Sequence, residues 1–503
     1  MSESSPELPV EIPSLSLPAR MRLPLPGLRM SERKLLLVVG DVLLLNAALI
    51  LSLVLRTDLL PHLSALFPAY KWFITLTAVW GVMAAIFDVY NLARAASMTY
   101  SVRAVLGASA FTSILYLFIP WLTPPLQNRS QAFLFVSLAI LFVVAWRGCY
   151  ALIFVQPAFQ RRTLVIGAGS SGRILAQALQ SDFARRDANP FRGTGYVLVG
   201  FIDDDPACRA ESIDGVPVLG DSRHLVRLVR TLGIDEVVVA ITRAEQIRPE
   251  LFEAILDCRE LGIPVVNIST VYERLTGRVA ATFAGSVLEM VSQLDDSLGD
   301  NSGDRPFARL YGLTKRLIDL GGALLGSAVL LLLMPLVAVG NAISSPGPLF
   351  FYQQRVGRGG QPFTLIKFRS MVPEAEKGSG AVWAQRHDSR VTPVGRWLRR
   401  THLDELPQVL NVWRGEMSLV GPRPERPEFV GQLSRQLPLY RARHCLRPGI
   451  TGWAQIHYDY GDSIDSAREK LEFDLYYVKH ATPLLDILII LRTFSRVLGL
   501  RGR

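Results

Sequence analysis

At 503 residues, with 50% hydrophobic and only 19% charged side chains, the chain is too long for one core and too poor in charge for a wholly soluble protein. That points to two or three folded units joined to membrane segments. Its net charge of +10 suits nucleic acid, anionic lipid or phosphorylated substrates, but no basic stripe with interleaved aromatics occurs, so no nucleic-acid partner is expected.

The first 30 residues are rich in Pro and Ser and are expected to form a disordered tail, with no cleavable signal peptide. Four apolar runs follow over residues 31–155, near Leu35–Leu55, Trp72–Phe87, Val105–Leu122 and Ala132–Phe154. A span takes roughly 20 apolar residues; the first and fourth runs reach that length, and the second and third are shorter. Together they leave almost no polar face for water, so a four-helix transmembrane bundle is expected. Basic residues orient it. Arg20, Arg22, Arg29, Arg33 and Lys34 precede the first run, Arg94 and Arg103 lie in the second loop, and Arg147, Arg161 and Arg162 flank or follow the fourth. The first and third loops carry only Arg56, Lys71 and Arg129, which puts the N-terminus and everything after residue 155 in the cytoplasm. Asp41 and Asn46 lie inside the first run, either as a functional intramembrane site or as helix–helix hydrogen bonds.

Residues 156–300 change pattern. The segment Arg162-Thr163-Leu164-Val165-Ile166-Gly167-Ala168-Gly169-Ser170-Ser171-Gly172 reads as strand, glycine turn and helix. β-Branched runs follow at Tyr196–Ile202, Val216–Leu219, Glu236–Ile241 and Pro264–Ile268, with helical patterns at Ser222–Leu232 and Pro249–Leu261 between them. Such alternation predicts a parallel, doubly wound sheet. Gly167, Gly169 and Gly172 match a dinucleotide fingerprint at a helix start. The acid that would grip a ribose comes at Asp203, Asp204 or Asp205, more than 30 residues on and later than usual. Two readings stand: a nucleotide site, or a scaffold whose pocket is empty or regulatory. The four cysteines (Cys149, Cys208, Cys258, Cys445) have no paired spacing, which excludes a zinc site or disulfide framework and fits a reducing compartment.

Residues 301–503 open with another apolar run, Leu317–Ile343, interrupted by Pro335. Basic residues flank both ends: Arg309, Lys315 and Arg316 before, Arg355, Arg358, Lys367 and Arg369 after. Both ends then prefer one side, and a mid-helix proline bends the axis. The expectation is a helix–break–helix hairpin that dips into the inner leaflet, with a straight fifth span as the alternative. Beyond it, Ser345-Pro346-Gly347-Pro348 makes a turn, Phe363–Phe368 a strand, and Arg396 to Trp413 a helical stretch broken by Pro407. Asp404 and Glu405 fall near a helix start, among Arg396, Arg399, Arg400 and Arg423. Adjacent residues on a helix diverge by about 100°, so one acid would attack phosphorus while the other holds a metal, with arginines neutralising the transferring group. The pairs Asp295-Asp296 and Asp203-Asp204-Asp205 lack that setting and read as solvated loops.

Several segments in this half resemble the bacterial polyprenyl-phosphate hexose-1-phosphate transferases, such as the undecaprenyl-phosphate galactose or glucose phosphotransferases. They are Lys315-Arg316-Leu317-Ile318-Asp319, Gly347-Pro348-Leu349-Phe350-Phe351, Gln354-Arg355-Val356-Gly357, Lys367-Phe368-Arg369-Ser370-Met371 and Leu403–Gln408. Gly421-Pro422-Arg423-Pro424, Arg447-Pro448-Gly449-Ile450-Thr451-Gly452-Trp453-Ala454-Gln455 and Phe473-Asp474-Leu475-Tyr476-Tyr477 complete the set, in family order over about residues 310–497. The resemblance implies a monotopic α/β phosphoglycosyl transferase domain with a re-entrant membrane helix, preceded by a Rossmann-like domain and membrane helices. It implies Asp404 as nucleophile and Glu405 as the residue that places Mg²⁺. Arg399, Lys367, Arg369, Arg423 and Arg447 would hold phosphate or nucleotide, and Asp474 would be a further active-site acid. The implied partners are a UDP-hexose, undecaprenyl phosphate and membrane lipid, at a bacterial inner membrane, with a homodimer expected. One departure is Met334-Pro335, where the family often has Ser-Pro.

Two rival functions remain. A membrane-bound NAD-dependent nucleotide-sugar dehydratase or epimerase would use Tyr311 and Lys315, a Tyr-x-x-x-Lys pair at the mouth of the apolar run. A non-catalytic sensor or assembly subunit would bind nucleotide in the middle domain and release no UMP.

Overall fold

The computed structural model describes residues 30–55, 70–87, 89–90, 98–119, 123, 129–154, 161–184, 196–208, 212–241, 248–280, 306–373, 375, 390–437, 439–458 and 463–497. The expected N-terminal tail, Arg20, Arg22, Arg29, Arg56, Arg94 and Asp295-Asp296 lie outside the described residues. Contacts divide the chain into two compact units, one of Met1–Gly81 with Val89–Val271, the other of Val82–Asp88 with Tyr272–Arg503. The second begins upstream of the boundary expected near residue 300.

Four apolar helices open the first unit: α1 (Met30–Val54), α2 (Tyr70–Ile86), α3 (Met98–Leu117) and α4 (Arg129–Phe154). Leu35–Val54 and Ser130–Tyr150 are long and apolar enough to cross a membrane, while α2 and α3 carry shorter apolar stretches. Polar side chains tie them to one another. Asn46 on α1 donates to Thr77 on α2 at 3.1 Å, and the Tyr116 hydroxyl on α3 donates to the Trp72 carbonyl on α2 at 3.1 Å. The Asp41 carboxylate on α1 meets the Arg147 guanidinium on α4 at 2.5 Å, both fully buried. Asp41 and Asn46 are therefore interhelical ties, as one of the two readings held. Arg147 is a correction: it does not mark a membrane flank, because its charge is spent on Asp41 inside the helix packing.

The α/β part of this unit follows the predicted strands closely. They are β1 (Arg161–Ile166), β2 (Tyr196–Ile202), β3 (Ser212–Ile213), β4 (Val216–Gly220), β5 (Glu236–Val239) and β6 (Val265–Asn267), interleaved with α5 (Ser170–Ala184), α6 (Leu225–Leu232) and α7 (Pro249–Glu260). The sheet order is β3-β4-β2-β1-β5-β6; every pairing is parallel except β3 with β4. Leu164, Ile166, Val199, Ile202 and Val237 form its apolar centre. Asp203, first of the three candidate acids, directly follows β2 beside the glycine turn, where both of its oxygens are taken by backbone N–H groups, Oδ1 by that of Asp205 at 2.9 Å. Its Oδ2 accepts from the Ala168 N–H at 2.7 Å. At Gly172 a Cβ would lie 2.2 Å from the Gly167 carbonyl, so only glycine lets the helix pack so close to the turn.

In the second unit, the end of α8 (Ile268–Thr276) and the residues after it lie along α14 (Ile464–His480). Glu273 accepts from Lys479 at 2.9 Å and lies 3.1 Å from His480, and Arg278 pairs with Glu469 at 2.6 Å. The apolar run is α9, a single helix from Pro306 to Ser344, 39 residues with Pro335 inside it. The helix thus runs on through Pro335, where a break was expected. A proline removes one N–H and crowds one carbonyl, and the turns on either side keep their own bonds. Both arms of α9 rest on the same unit. Ala323 packs with Phe363, Leu365 and Val412, and Leu330 and Val337 pack with Phe368, Leu398 and Val409. The opposite face is bare, with Leu332 73% and Ile343 81% exposed.

The rest of the unit comprises the antiparallel pair β7 (Phe350–Val356) and β8 (Pro362–Phe368), then α10 (Pro393–Arg400), a 3₁₀ turn (Leu403–Gln408) and α11 (Val409–Arg414). It continues with β9 (Ser418–Val420), α12 (Pro427–Gln436), β10 (Gly449–Thr451), which pairs parallel with β9, then α13 (Trp453–His457) and α15 (Pro483–Val497). The helical stretch expected from Arg396 to Trp413 breaks at Thr401–His402 and not at Pro407. His402 takes the left-handed conformation at φ 57°, and Pro407 sits comfortably inside the 3₁₀ turn.

Candidate active site

The acidic pair stands on the 3₁₀ turn between α10 and α11. Successive residues of a 3₁₀ helix diverge by about 120°, so Asp404 and Glu405 face different neighbours. Strand β8 runs beside the turn because Asn411 stitches it there. The Asn411 side chain accepts from the Ile366 N–H at 3.1 Å and donates to the Thr364 carbonyl at 2.7 Å. Lys367, one residue further along, then reaches the Glu405 Oε1 at 2.9 Å. Arg423, from the loop after β9, donates to the same oxygen at 2.6 Å and to Oε2 at 3.4 Å.

The two acids differ in commitment. Glu405 is held by two cations, and although burial opposes ionisation, the charges of Arg423 and Lys367 keep its carboxyl far below the usual carboxylate range. Asp404 is 9% exposed and accepts no hydrogen bond among the described residues. Burial pushes its pKa up, the Glu405 charge adds to the rise, and Lys367, Arg399 and Arg423 pull against it. Asp404 is thus a little-exposed carboxylate, uncommitted among the described residues, in a field of cations.

Arg399 comes from α10, capped by the Thr392 hydroxyl, which accepts from the Gly395 N–H at 2.9 Å. At Gly395 a Cβ would lie 1.9 Å from the Ser370 carbonyl. That close approach lets the Arg399 Nε donate to the Ser370 hydroxyl at 2.9 Å, beside the end of β8.

Other expected site residues go elsewhere. Arg369 is 5% exposed: it donates to the Pro348 carbonyl at 2.6 Å and the Ser345 hydroxyl at 3.0 Å, and also to the Ser345 carbonyl. It staples the turn that follows α9 through three of its five N–H groups. Asp474 on α14 does not reach the acidic pair. Its carboxylate pairs with Arg443 at 2.7 Å, and burial pushes its pKa up to about 6 in spite of that cation. Arg447 has Arg316, Arg358 and Asp319 as charged neighbours, and burial together with the two arginines pushes its pKa down. The Tyr311 and Lys315 pair serves structure: Lys315 donates to Asp486 at 3.0 Å, to the Tyr477 hydroxyl at 3.0 Å and to the Val420 carbonyl at 3.0 Å. Sequence reasoning passed over Ser370, Asn411 and Arg443, for which no spacing gives a signal.

Among the described residues no group of three or more His, Cys, Asp or Glu side chains could form a protein-only metal cage. Mg²⁺ needs no such cage, since it takes one or two carboxylates and completes its shell with water and phosphate oxygens. Glu405 Oε2, with its single long contact at 3.4 Å, and the neighbouring Asp404 fit that donor set.

A family described as bacterial sugar transferase matches residues 310–499, and one described as a CoA-binding domain matches residues 85–260. A UDP-N-acetylgalactosamine-undecaprenyl-phosphate N-acetylgalactosaminephosphotransferase of Aeromonas hydrophila is 36% identical over 313 residues, 61% of this chain and 68% of the relative. A UDP-glucose:undecaprenyl-phosphate glucose-1-phosphate transferase of Escherichia coli K12 is 41% identical over 366 residues, 69% of this chain and 74% of the relative. Another so described, from Xanthomonas campestris pv. campestris, is 34% identical over 292 residues, 58% of each. With its acidic pair, cations and apolar helix inside the matched segment, the chain is an enzyme and belongs to the bacterial sugar transferase family of polyprenyl-phosphate hexose-1-phosphate transferases.

Proposed function

We propose that the enzyme transfers hexose-1-phosphate from a UDP-hexose to undecaprenyl phosphate through a covalent intermediate on Asp404, starting a lipid-linked polysaccharide. One observation carries this reading: of two adjacent acids, Glu405 is held by Lys367 and Arg423, while Asp404 is free to react. An Asp404 oxygen attacks the sugar-bearing phosphorus, the bond from that phosphorus to the bridging oxygen breaks, and UMP leaves with the electron pair. A phosphate oxygen of undecaprenyl phosphate then attacks the phosphosugar–aspartyl ester, forms the new pyrophosphate and releases the Asp404 carboxylate. One pyrophosphate bond replaces another, so the reaction is reversible with UMP, and the covalent intermediate allows ping-pong kinetics. Arg399, Lys367 and Arg423 neutralise the transferring group, which needs no reorganisation because their positions are set beforehand. Mg²⁺, held by Glu405 and substrate phosphates, would supply further charge neutralisation.

The helix α9 supports a membrane placement. Its two arms pack on one folded unit, on either side of Pro335, so a straight crossing would drag that unit into hydrocarbon. We infer that α9 enters and leaves by the cytoplasmic leaflet, that α1–α4 form a four-helix transmembrane bundle in the bacterial inner membrane, and that the acidic pair works at the cytoplasmic face.

Purified protein with Mg²⁺, undecaprenyl phosphate and a panel of UDP-glucose, UDP-galactose and UDP-N-acetylgalactosamine tests the reaction. UMP release should require Asp404, vanish on chelation and return with Mg²⁺. Mass spectrometry should find the phosphosugar on the Asp404 peptide; an adduct elsewhere, or full activity in D404N, refutes the mechanism.

A further inference from the structure

The loop Gly421-Pro422-Arg423-Pro424-Glu425 delivers the arginine that grips Glu405. Its two prolines have no N–H to donate, so the loop is held mainly through its carbonyls. The Pro422 carbonyl accepts from the Gly449 N–H at 2.9 Å, and the Glu425 carbonyl accepts from the Val356 N–H at 2.9 Å. The two carbonyls between them accept from side chains: Arg355 donates to Pro424 at 3.1 Å, and Arg443 donates to Arg423 at 2.9 Å.

Arg443 is unusual among these. It is 6% exposed, its Nη1 donates to the Tyr440 hydroxyl at 2.8 Å, and its Nη2 lies 2.7 Å from the Asp474 carboxylate. A buried guanidinium and a buried carboxylate are both costly to keep from water, and neither touches Asp404 or Glu405. Toward the acids, Arg443 reaches the Arg423 carbonyl.

We propose that Arg443, anchored by Asp474, is a positioning residue: by holding the Arg423 carbonyl it fixes the direction in which the Arg423 guanidinium leaves the loop and so keeps it on Glu405. This rests on the reading of Arg423 and Glu405 as part of the transferase site. Asp474 then acts at two removes, through Arg443 and Arg423, and does not touch the substrate.

A double-mutant cycle of Arg443→Met and Arg423→Met tests the proposal, with R443K and D474N beside it, reading the rate of nucleotide release. Each single methionine variant should lower kcat by about tenfold or more, and the double variant should be no worse than R423M alone, because each takes the Arg423 guanidinium off Glu405. R443K should recover part of the rate. Multiplying effects in the double variant, or no recovery of rate in R443K, overturns the proposal. Should R443M melt too low to assay, R443K and D474N carry the same cycle. Should the wild-type enzyme release no nucleotide from any nucleotide sugar, the functional reading fails on its own, and phenylglyoxal labelling decides: faster modification of Arg423 in R443M than in wild type upholds the positioning role, and equal rates refute it.

Discussion

Asp404 and Glu405 are neighbours in the chain and opposites in their surroundings. The Glu405 charge raises the Asp404 pKa, and Lys367 and Arg423 are occupied by Glu405. Replacing Glu405 with Gln removes that negative charge, so Asp404 should ionise at lower pH. In E405Q the acid limb of kcat/KM should therefore move to lower pH while the plateau falls, a pattern that a pH series of initial rates would reveal. Arg369 gives a contrasting expectation. Its donors satisfy the turn after α9, and R369M leaves those buried acceptors unpaired at about 1–3 kcal/mol each. The variant should melt well below wild type, with KM for the nucleotide sugar little changed in whatever fraction is folded; a raised KM at unchanged stability would restore the phosphate role. Arg369 and Arg399 look alike in sequence, both arginines in a basic stretch. What separates them is the presence of carbonyls at Ser345 and Pro348 around one and the open end of β8 beside the other, and those neighbours come from distant parts of the chain.

At the scale of the element, the 3₁₀ turn is the piece that sequence patterning misplaced. Pro407 suggested the helix break, yet the chain turns at His402, at φ 57°, a conformation costing a non-glycine residue about 1 kcal/mol or more. His402→Gly should relieve that strain and raise the melting temperature. It should also lower kcat, since a freer hinge holds the acids less firmly. G395A tests the approach of α10 to β8: a methyl 1.9 Å from the Ser370 carbonyl must push the helix away, so activity should fall by an order of magnitude or more through Arg399. The strands of the α/β part were legible because β-branched runs separated by amphipathic helices have one economical arrangement. β2 covers Tyr196–Ile202 as expected. Asp203 stands beside the glycine turn in spite of the long interval between them, because the sheet sets β1 and β2 side by side.

On the scale of the molecule, composition announced membrane helices and the α/β pattern announced the sheet, but neither said which charges would pair. Arg147 belonged, by its position near the end of an apolar run, to the cytoplasmic flank. It instead neutralises Asp41 between α1 and α4. Removing one partner strands a buried charge, so D41N or R147M should reduce stability by about 3–5 kcal/mol, seen as a loss of folded protein in detergent. The exchange D41R with R147D should recover part of it. The length of α9 has a separate consequence. Its 39 residues span about 58 Å at helical rise, nearly twice the ~30 Å of a bilayer's hydrocarbon core, yet the catalytic unit grips both arms. A helix so held takes its depth from the protein beneath it, and a spanning helix takes its tilt from the lipid around it. Reconstituted into phosphatidylcholine vesicles of successively longer acyl chains, the enzyme should then keep a nearly constant turnover where a crossing helix would show an optimum thickness.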